Sequence, residues 1–295
     1  LSQLYHEYKR GVKAGYAKYE TFPIWNIPLR HPTNVAYEAA TADLGDVNMI
    51  DPFHLEAYNV PAVNYNRDIE CFPIVRSILT KITGDENLYR SPTDMGVNMA
   101  GFAITDDAIV CKASRQEIIR RYYKASCDYK QGLCDEITPQ RIKLLMNDHK
   151  IPLSERVVVE PALKKAEETN SPAVAIQLPD GRIVAGRVTA LMTSSASAVL
   201  NAVKAMANIP DKALLLSPEV LNPIIKLKKD VLNSDKCKLN LADVLTALSI
   251  CAAGDETVKS AYDQLPSLKN CESHSSCMLP EIDMSMFRKL GLNVT

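Results

Sequence analysis

The stretch Ser171–Met206, SPAVAIQLPDGRIVAGRVTALMTSSASAVLNAVKAM, decides the fold class. Ala173 to Leu178 is an apolar run of strand length, Pro179-Asp180-Gly181 is a turn, and Arg182 to Val184 resumes as a strand, so the first half predicts a hairpin. The period then changes. Thr193, Ser194, Ser195 and Ser197 stand at the start of a segment in which Ala198, Val199, Ala202, Val203 and Met206 recur at helical spacing. A hairpin running into an amphipathic helix indicates a sheet covered by helices.

Downstream, Ala213 to Leu216 predicts another short buried strand and Pro218 to Asp230 a helix. Leu239 to Ala253 and Thr257 to Leu265 predict two more helices, before a strand-like segment from Leu290 to Val294. We therefore expect a layered α/β C-terminal domain over 171–295. It has no Rossmann glycine fingerprint, and its helices share no fixed repeat period.

Upstream, residues 61–170 predict a mainly helical middle domain. Ile74, Val75, Ile78, Leu79 and Ile82 mark a helix over 69–82 despite Pro73, and Ser114 to Tyr129 forms an amphipathic helix with Ser114 as its cap. Further helices follow at 138–148 and 154–169, separated by Pro152. Residues 1–60 read as the remainder of an N-terminal α/β domain. Leu1, Leu4, Tyr5 and Tyr8 share one helix face that opens without a cap, Gly11 ends that helix, and a strand is expected over Tyr16–Trp25. A helix over Thr33–Leu44 precedes Asp51-Pro52, which has the form of an N-cap followed by a first-turn proline. The fold class is thus α/β and multidomain.

Composition narrows the function. The chain has 295 residues, 46% of them hydrophobic, with 34 Lys and Arg against 35 Asp and Glu. No broad positive field exists to recruit nucleic acid. The eight cysteines, at 71, 111, 127, 134, 237, 251, 271 and 277, contain no C-x-x-C pair, as expected of reduced thiols in a cytoplasmic protein. There is no 18-residue apolar run, so no membrane partner is expected.

The densest chemistry lies in Ser91–Asp107, SPTDMGVNMAGFAITDD, where turn residues surround a Gly-punctuated apolar run. Asp94 and Asn98 could face one ligand if Gly96 turns the backbone. Asp106 and Asp107 read either as a solvated acidic turn or as oxygen ligands for magnesium accompanying a phosphate. Asn64-Tyr65-Asn66-Arg67-Asp68 offers a second cluster. There, Arg67 could fork around a phosphate or carboxylate while Asp68 orients it, or the two could form a local pair at a helix start. His54 is a candidate proton carrier if Asp51 or Asp46 orients it, and otherwise an ordinary packed histidine. In the C-terminal domain, Arg187 beside the hydroxyl-rich helix start at Ser194 and Ser195 could hold an anion, although ordinary capping explains the same residues. Neither serine lies in a G-x-S-x-G setting. Cys271, His274 and Cys277 form C-x2-H-x2-C, a spacing unlike the standard zinc patterns, and no metal is assigned to it.

Several runs resemble a known family. AGYAKYETFPIWNIPLRHPTNVAYEAATADLGDVNMIDPFHLEAY at 14–58, VNYNRDIE at 63–70, SPTDMGVNMAGFAI at 91–104, ASRQEIIRRYY at 113–123, KNCESHSS at 269–276 and FRKLGLNVT at 287–295 are similar to the central and C-terminal parts of the uncharacterised bacterial family UPF0371, also called DUF1846. The resemblance implies a Gly-rich, phosphate-loop-like segment ahead of Leu1, truncated from this chain, with Leu1–Arg10 as the rest of the helix it enters. It further implies a layered α/β C-terminal domain after a smaller helical one.

The function expected from these readings is binding of a nucleotide or phosphorylated small molecule, with phosphoryl transfer or hydrolysis as the reaction and magnesium as a companion of phosphate. Arg67, Arg187, Ser194 and Ser195 would bind negative charge, Asn98 and Asp94 would orient the substrate, and His54, Asp68 and Asp94 form the catalytic set. The alternative is a phosphometabolite-binding or assembly protein without turnover. A homo-oligomer is compatible with either.

Overall fold

The computed structural model describes residues 1–18, 23–233 and 238–295. Part of the predicted strand over 16–25, and Cys237, lie outside the described residues. The chain divides into two compact units, Leu1–Pro152 and Leu153–Thr295.

The first unit runs α1 (Ser2–Lys9), α2 (Pro32–Ala40), β1 (Asn48–Ile50), α3 (Pro52–Tyr58), β2 (Val63–Tyr65), α4 (Asn66–Thr83), α5 (Asp107–Lys130) and α6 (Ile137–Asp148). β1 and β2 pair antiparallel, with Asn48 opposite Tyr65 and Ile50 opposite Val63. Two 3-10 turns, Pro92–Met95 and Ala100–Ala103, occupy the segment that the sequence leaves open between turn and strand. One core joins Leu4, Phe72, Leu79 and Met95, with Phe53 against Phe72 at 4.8 Å between ring centroids. α5 begins earlier than Ser114 because Asp106 caps it, accepting from the N–H of Ile109 at 3.1 Å. Ser114 is instead buried and bonded to the Thr33 hydroxyl at 2.9 Å.

The second unit runs α7 (Val159–Thr169), β3 (Ala173–Gln177), β4 (Ile183–Arg187), α8 (Ser194–Met206), α9 (Pro218–Lys226), α10 (Leu241–Ala252), α11 (Glu256–Tyr262), β5 (Glu272–Ser275), α12 (Glu281–Leu290) and β6 (Asn293–Val294). The sheet order is β4-β3-β5-β6, with β3 antiparallel to both neighbours and β5 parallel to β6. Both faces of β3 are covered, which explains its unbroken apolar run AVAI. Ala175 packs against Val158 and Ala162 at the start of α7, while Val174 and Ile176 join the main core with Ala198, Val199, Ala202 and Val203 of α8. The α7 helix, grouped by the sequence with residues 61–170, thus lies on the sheet of this unit.

The hairpin, α8 and the helices at 218, 241 and 256 match their predicted places. The strand predicted at Ala213–Leu216 is a turn instead: the N–H of Ala213 bonds the carbonyl of Pro210 at 2.9 Å, and Leu215 and Leu216 are buried without strand pairing. Only the last two residues of the apolar run are buried, Leu214 being 81% exposed, and a short apolar run alone cannot make a strand.

Candidate functional site

Asp51 builds the site. It is fully buried and caps α3, its Oδ1 accepting from the N–H groups of Phe53 and His54 at 3.0 and 3.1 Å. Its Oδ2 accepts from the N–H and hydroxyl of Thr93, at 3.3 and 2.6 Å. One carboxylate thereby ties α3 to the turn at Pro92–Met95, and the cap read from sequence is also the fastener between two segments about forty residues apart.

That tie brings His54 to Ser91 and Asp94. Nδ1 of His54 lies 3.0 Å from the Ser91 hydroxyl and 4.0 Å from Oδ1 of Asp94. Asp94 is held by three donors on its other oxygen: the Tyr58 hydroxyl at 2.9 Å and the N–H groups of Arg90 and Ser91 at 2.8 and 3.1 Å. The Ser91 hydroxyl accepts from the N–H of Asp94 at 3.2 Å, completing a capping box. The Ser91 hydroxyl can donate to Nδ1 or accept from it, so the contact fixes the ring's orientation and commits Nδ1 in either tautomer. Ser91 is itself fully buried, so it positions the ring and offers no exposed nucleophile.

Aromatic rings enclose this group. Tyr58 lies tilted on His54 at 4.7 Å between centroids, Trp25 meets it edge-on at 6.2 Å, and Phe102 meets Trp25 at 6.3 Å while 68% exposed. Burial and the neighbouring Asp94 push the Tyr58 hydroxyl above its ordinary range. The Arg90 guanidinium rests over the opposite partner of that network, 5.0 Å from the Tyr58 ring centroid. Gly101 lies so close to Asn26 that a Cβ there would stand 2.3 Å from its Oδ1. Nε1 of Trp25 and Oδ1 of Asn26, both buried, have no hydrogen-bond partner among the described residues.

The other predicted residues are placed elsewhere. Arg67 forks onto the buried Asp46, with Nε 3.2 Å from Oδ1 and Nη2 donating to Oδ2 at 3.2 Å. Asp68 is buried and paired with Lys18. Asn98 donates to the Tyr37 hydroxyl at 2.9 Å and accepts from the N–H of Ala100 at 3.0 Å. Near Asp46 a cavity of about 210 Å³ is lined by Glu38, Gly45, Asp46, Arg141 and Asp148. Burial pushes the Glu38 carboxyl up, and pushes the nearby Tyr65 hydroxyl up to about 12.

In the second unit, Arg187 is exposed and donates to the carbonyl of Val188 at 3.3 Å. Ser194 and Ser195 are buried at the start of α8, where the Thr193 hydroxyl provides the cap by accepting from the N–H of Ala196 at 3.4 Å. Of the C-x2-H-x2-C residues, the Cys271 thiol donates to the Ser267 carbonyl at 3.6 Å and His274 pairs with the Thr295 hydroxyl at 2.8 Å. Extended residues three apart face opposite ways, so this spacing does not gather its donors. Burial, followed by the charge of Arg156, pushes His274 down to about 4.

Sequence reasoning missed Tyr58, Arg90 and the positioning role of Ser91. The signal available for Ser91 was the S-x-x-D capping box, which marks a turn but not the histidine it meets.

Residues 1–150 match the family model for the N-terminal domain of unknown function DUF1846, and residues 154–295 match its C-terminal counterpart. The chain belongs to the DUF1846 family. The compact units divide between Pro152 and Leu153, within the three residues that separate the two family segments. A UPF0371 protein of Clostridium botulinum (strain ATCC 19397 / Type A) is 53% identical over 303 residues, covering 100% of this chain and 60% of the relative. A UPF0371 protein of Clostridium tetani (strain Massachusetts / E88) is 52% identical over the same span. The DUF1846 chain therefore spans about 60% of the length of the curated relatives it matches. Among its described residues, no helix is long and apolar enough to cross a membrane.

Proposed function

We propose that the N-terminal unit binds a small anionic metabolite, carrying a phosphate or carboxylate, at the His54–Tyr58–Arg90 site, and that His54 transfers a proton on it. The observation that supports this most is the state of His54. Its ring is fixed by Ser91 through Nδ1, lies 4.0 Å from a carboxylate held by three donors, and is 13% exposed at its side chain. With Nδ1 committed to Ser91, Nε2 is the nitrogen left for the ligand, and it accepts a proton from the ligand when Nδ1–H donates to the Ser91 oxygen. Arg90 supplies the anion contact in this reading, because its guanidinium rests on an aromatic ring, whereas Arg67 is taken up by Asp46.

For a phosphorylated ligand the reaction class is phosphoryl transfer or hydrolysis, with His54 as acid or base. Magnesium would need oxygen ligands, and Asp94, the acid beside His54, already accepts three hydrogen bonds on one oxygen. Any magnesium would then arrive with the phosphate. Binding without turnover is the second reading, supported by the burial of Ser91, the hydroxyl nearest His54.

The test is mass spectrometry of small molecules retained by the protein after native purification, followed by a screen of phosphorylated and carboxylated metabolites by calorimetry. A retained or screened anion whose affinity falls in Arg90→Met supports the proposal. Repeated preparations with no ligand, and a screen without binding, would refute it. Conversion of the ligand, lost in His54→Gln, separates the enzyme from the binding protein.

A further inference from the structure

Three donor atoms of different kinds meet at the starts of α2 and α5. Nε2 of His31 lies 2.8 Å from Oδ1 of Asp107, and Sγ of Cys111 lies 3.5 Å from that nitrogen and 3.6 Å from Oδ2 of Asp107. Each residue offers one atom within 4.8 Å of the others, and among the described residues no other His, Cys, Asp and Glu side chains gather in this way.

We propose that His31, Asp107 and Cys111 form a binding site for a zinc-class divalent ion, with a fourth position open to solvent. Tetrahedral zinc with ordinary bond lengths requires donor separations of about 3.5 Å for sulfur with nitrogen or oxygen, and about 3.3 Å for nitrogen with oxygen. The separation of sulfur from Nε2, 3.5 Å, and from Oδ2, 3.6 Å, both match. The 2.8 Å contact of Nε2 is to the other carboxylate oxygen, Oδ1, so the carboxylate must turn to present one oxygen to both partners, and Asp107, with its side chain 68% exposed, has room to do so. Imidazole, thiolate and carboxylate together suit a borderline ion better than calcium or magnesium, which prefer oxygen throughout.

The scaffold holds the donors in place. Asp107 and Cys111 are four residues apart on α5, hence on one face a turn apart. His31 is the N-cap of α2, and a second tie between these helices, Thr33 to Ser114 at 2.9 Å, lies beside it. Two effects oppose the ion. Positive helix ends repel cations, but zinc with one thiolate and one carboxylate is neutral overall, so little repulsion remains. Metal on Nε2 also places the imidazole proton on Nδ1, which now accepts from the N–H of Thr33 at 3.2 Å, so that capping bond is given up. The site is separate from the His54 proposal and stands or falls without it.

The test uses the full chain stripped with a chelator, then titrated with Zn2+ alone against a chromophoric competitor and, separately, with Co2+. The proposal expects one equivalent bound tightly and a thiolate-to-cobalt charge-transfer band. Cys111→Ser should abolish the band and weaken zinc by more than the ten- to hundredfold typical of an outer partner, and Asp107→Asn should weaken it by at least about tenfold. Melting of the metal-free variants should match the parent. If Cys111→Ser melts early, the exposed Asp107→Asn alone decides. Absence of stoichiometric zinc in the parent, or unchanged affinity in Asp107→Asn, would overturn the proposal.

Discussion

Gly186→Ala probes the closest contact in the second unit. Gly186 sits in β4 opposite Val174 of β3, and its other side faces the backbone of α8. A Cβ built there would lie 2.2 Å from the amide nitrogen of Ala198 and 2.5 Å from the carbonyl carbon of Ser197. Both are backbone atoms, so no side chain can swing away. Relief requires β4 and α8 to separate by about 1 Å, which loosens the packing of Val199, Ala202 and Val203 against β3. Overpacking of this kind costs about 1–3 kcal/mol, and backbone on both sides places it at about 3 kcal/mol. For a unit of this size that corresponds to a fall in melting temperature of roughly 6–12 °C. Gly254→Ala is the internal control, since a Cβ there meets nothing within 4 Å; it should be neutral or slightly stabilising. Thermal and urea denaturation of both variants measure the difference. A Gly186→Ala protein that melts with the parent would refute the close strand–helix approach described here.

Two further predictions concern the same unit. Arg156 is fully buried and donates to Glu272, the Thr295 hydroxyl, and the carbonyls of Ser273 and Asn293, so Arg156→Met should cost about 3 kcal/mol by stranding those acceptors, measurable by urea denaturation. His274, held at about 4 in the fold against an ordinary 6.5, binds its proton more readily when unfolded. Stability should therefore fall as pH drops from about 6.5 toward about 4, by up to about 3 kcal/mol, and His274→Asn should flatten that slope in melting curves.

What the sequence made legible follows the reach of local rules. The hairpin over 173–187, its turn at Pro179–Gly181 and the helix at Ser194 were readable because strand period, turn residues and helical period succeed one another within a few residues. The cap at Asp51 was readable for the same reason. The antiparallel pair of β1 and β2 was not, since three-residue strands carry too little pattern. Within the site, the convergence of His54 with Ser91 and Asp94 depends on Asp51 reaching Thr93, a contact that no local spacing encodes. Arg67 and Asp68 show the same limit: adjacent in sequence, they take Asp46 and Lys18 as partners, each many residues away. Buried carboxylates choose partners by fold, and a helix start reveals only that charged residues are present.

The anion-site proposal is tested most directly by comparing Arg90→Met and Arg67→Met in calorimetric titration with the retained or screened anion, alongside melting curves. A lost charge-assisted contact costs about 1.5–3 kcal/mol, so Arg90→Met should weaken binding by about ten- to a hundredfold at an unchanged melting temperature. Arg67→Met should instead melt early, because it leaves Asp46, 3% exposed, without the guanidinium that holds it, while any protein still folded binds as the parent does. Undiminished affinity in Arg90→Met, or an affinity loss confined to Arg67→Met, would contradict the assignment of the anion to Arg90 and the His54 site.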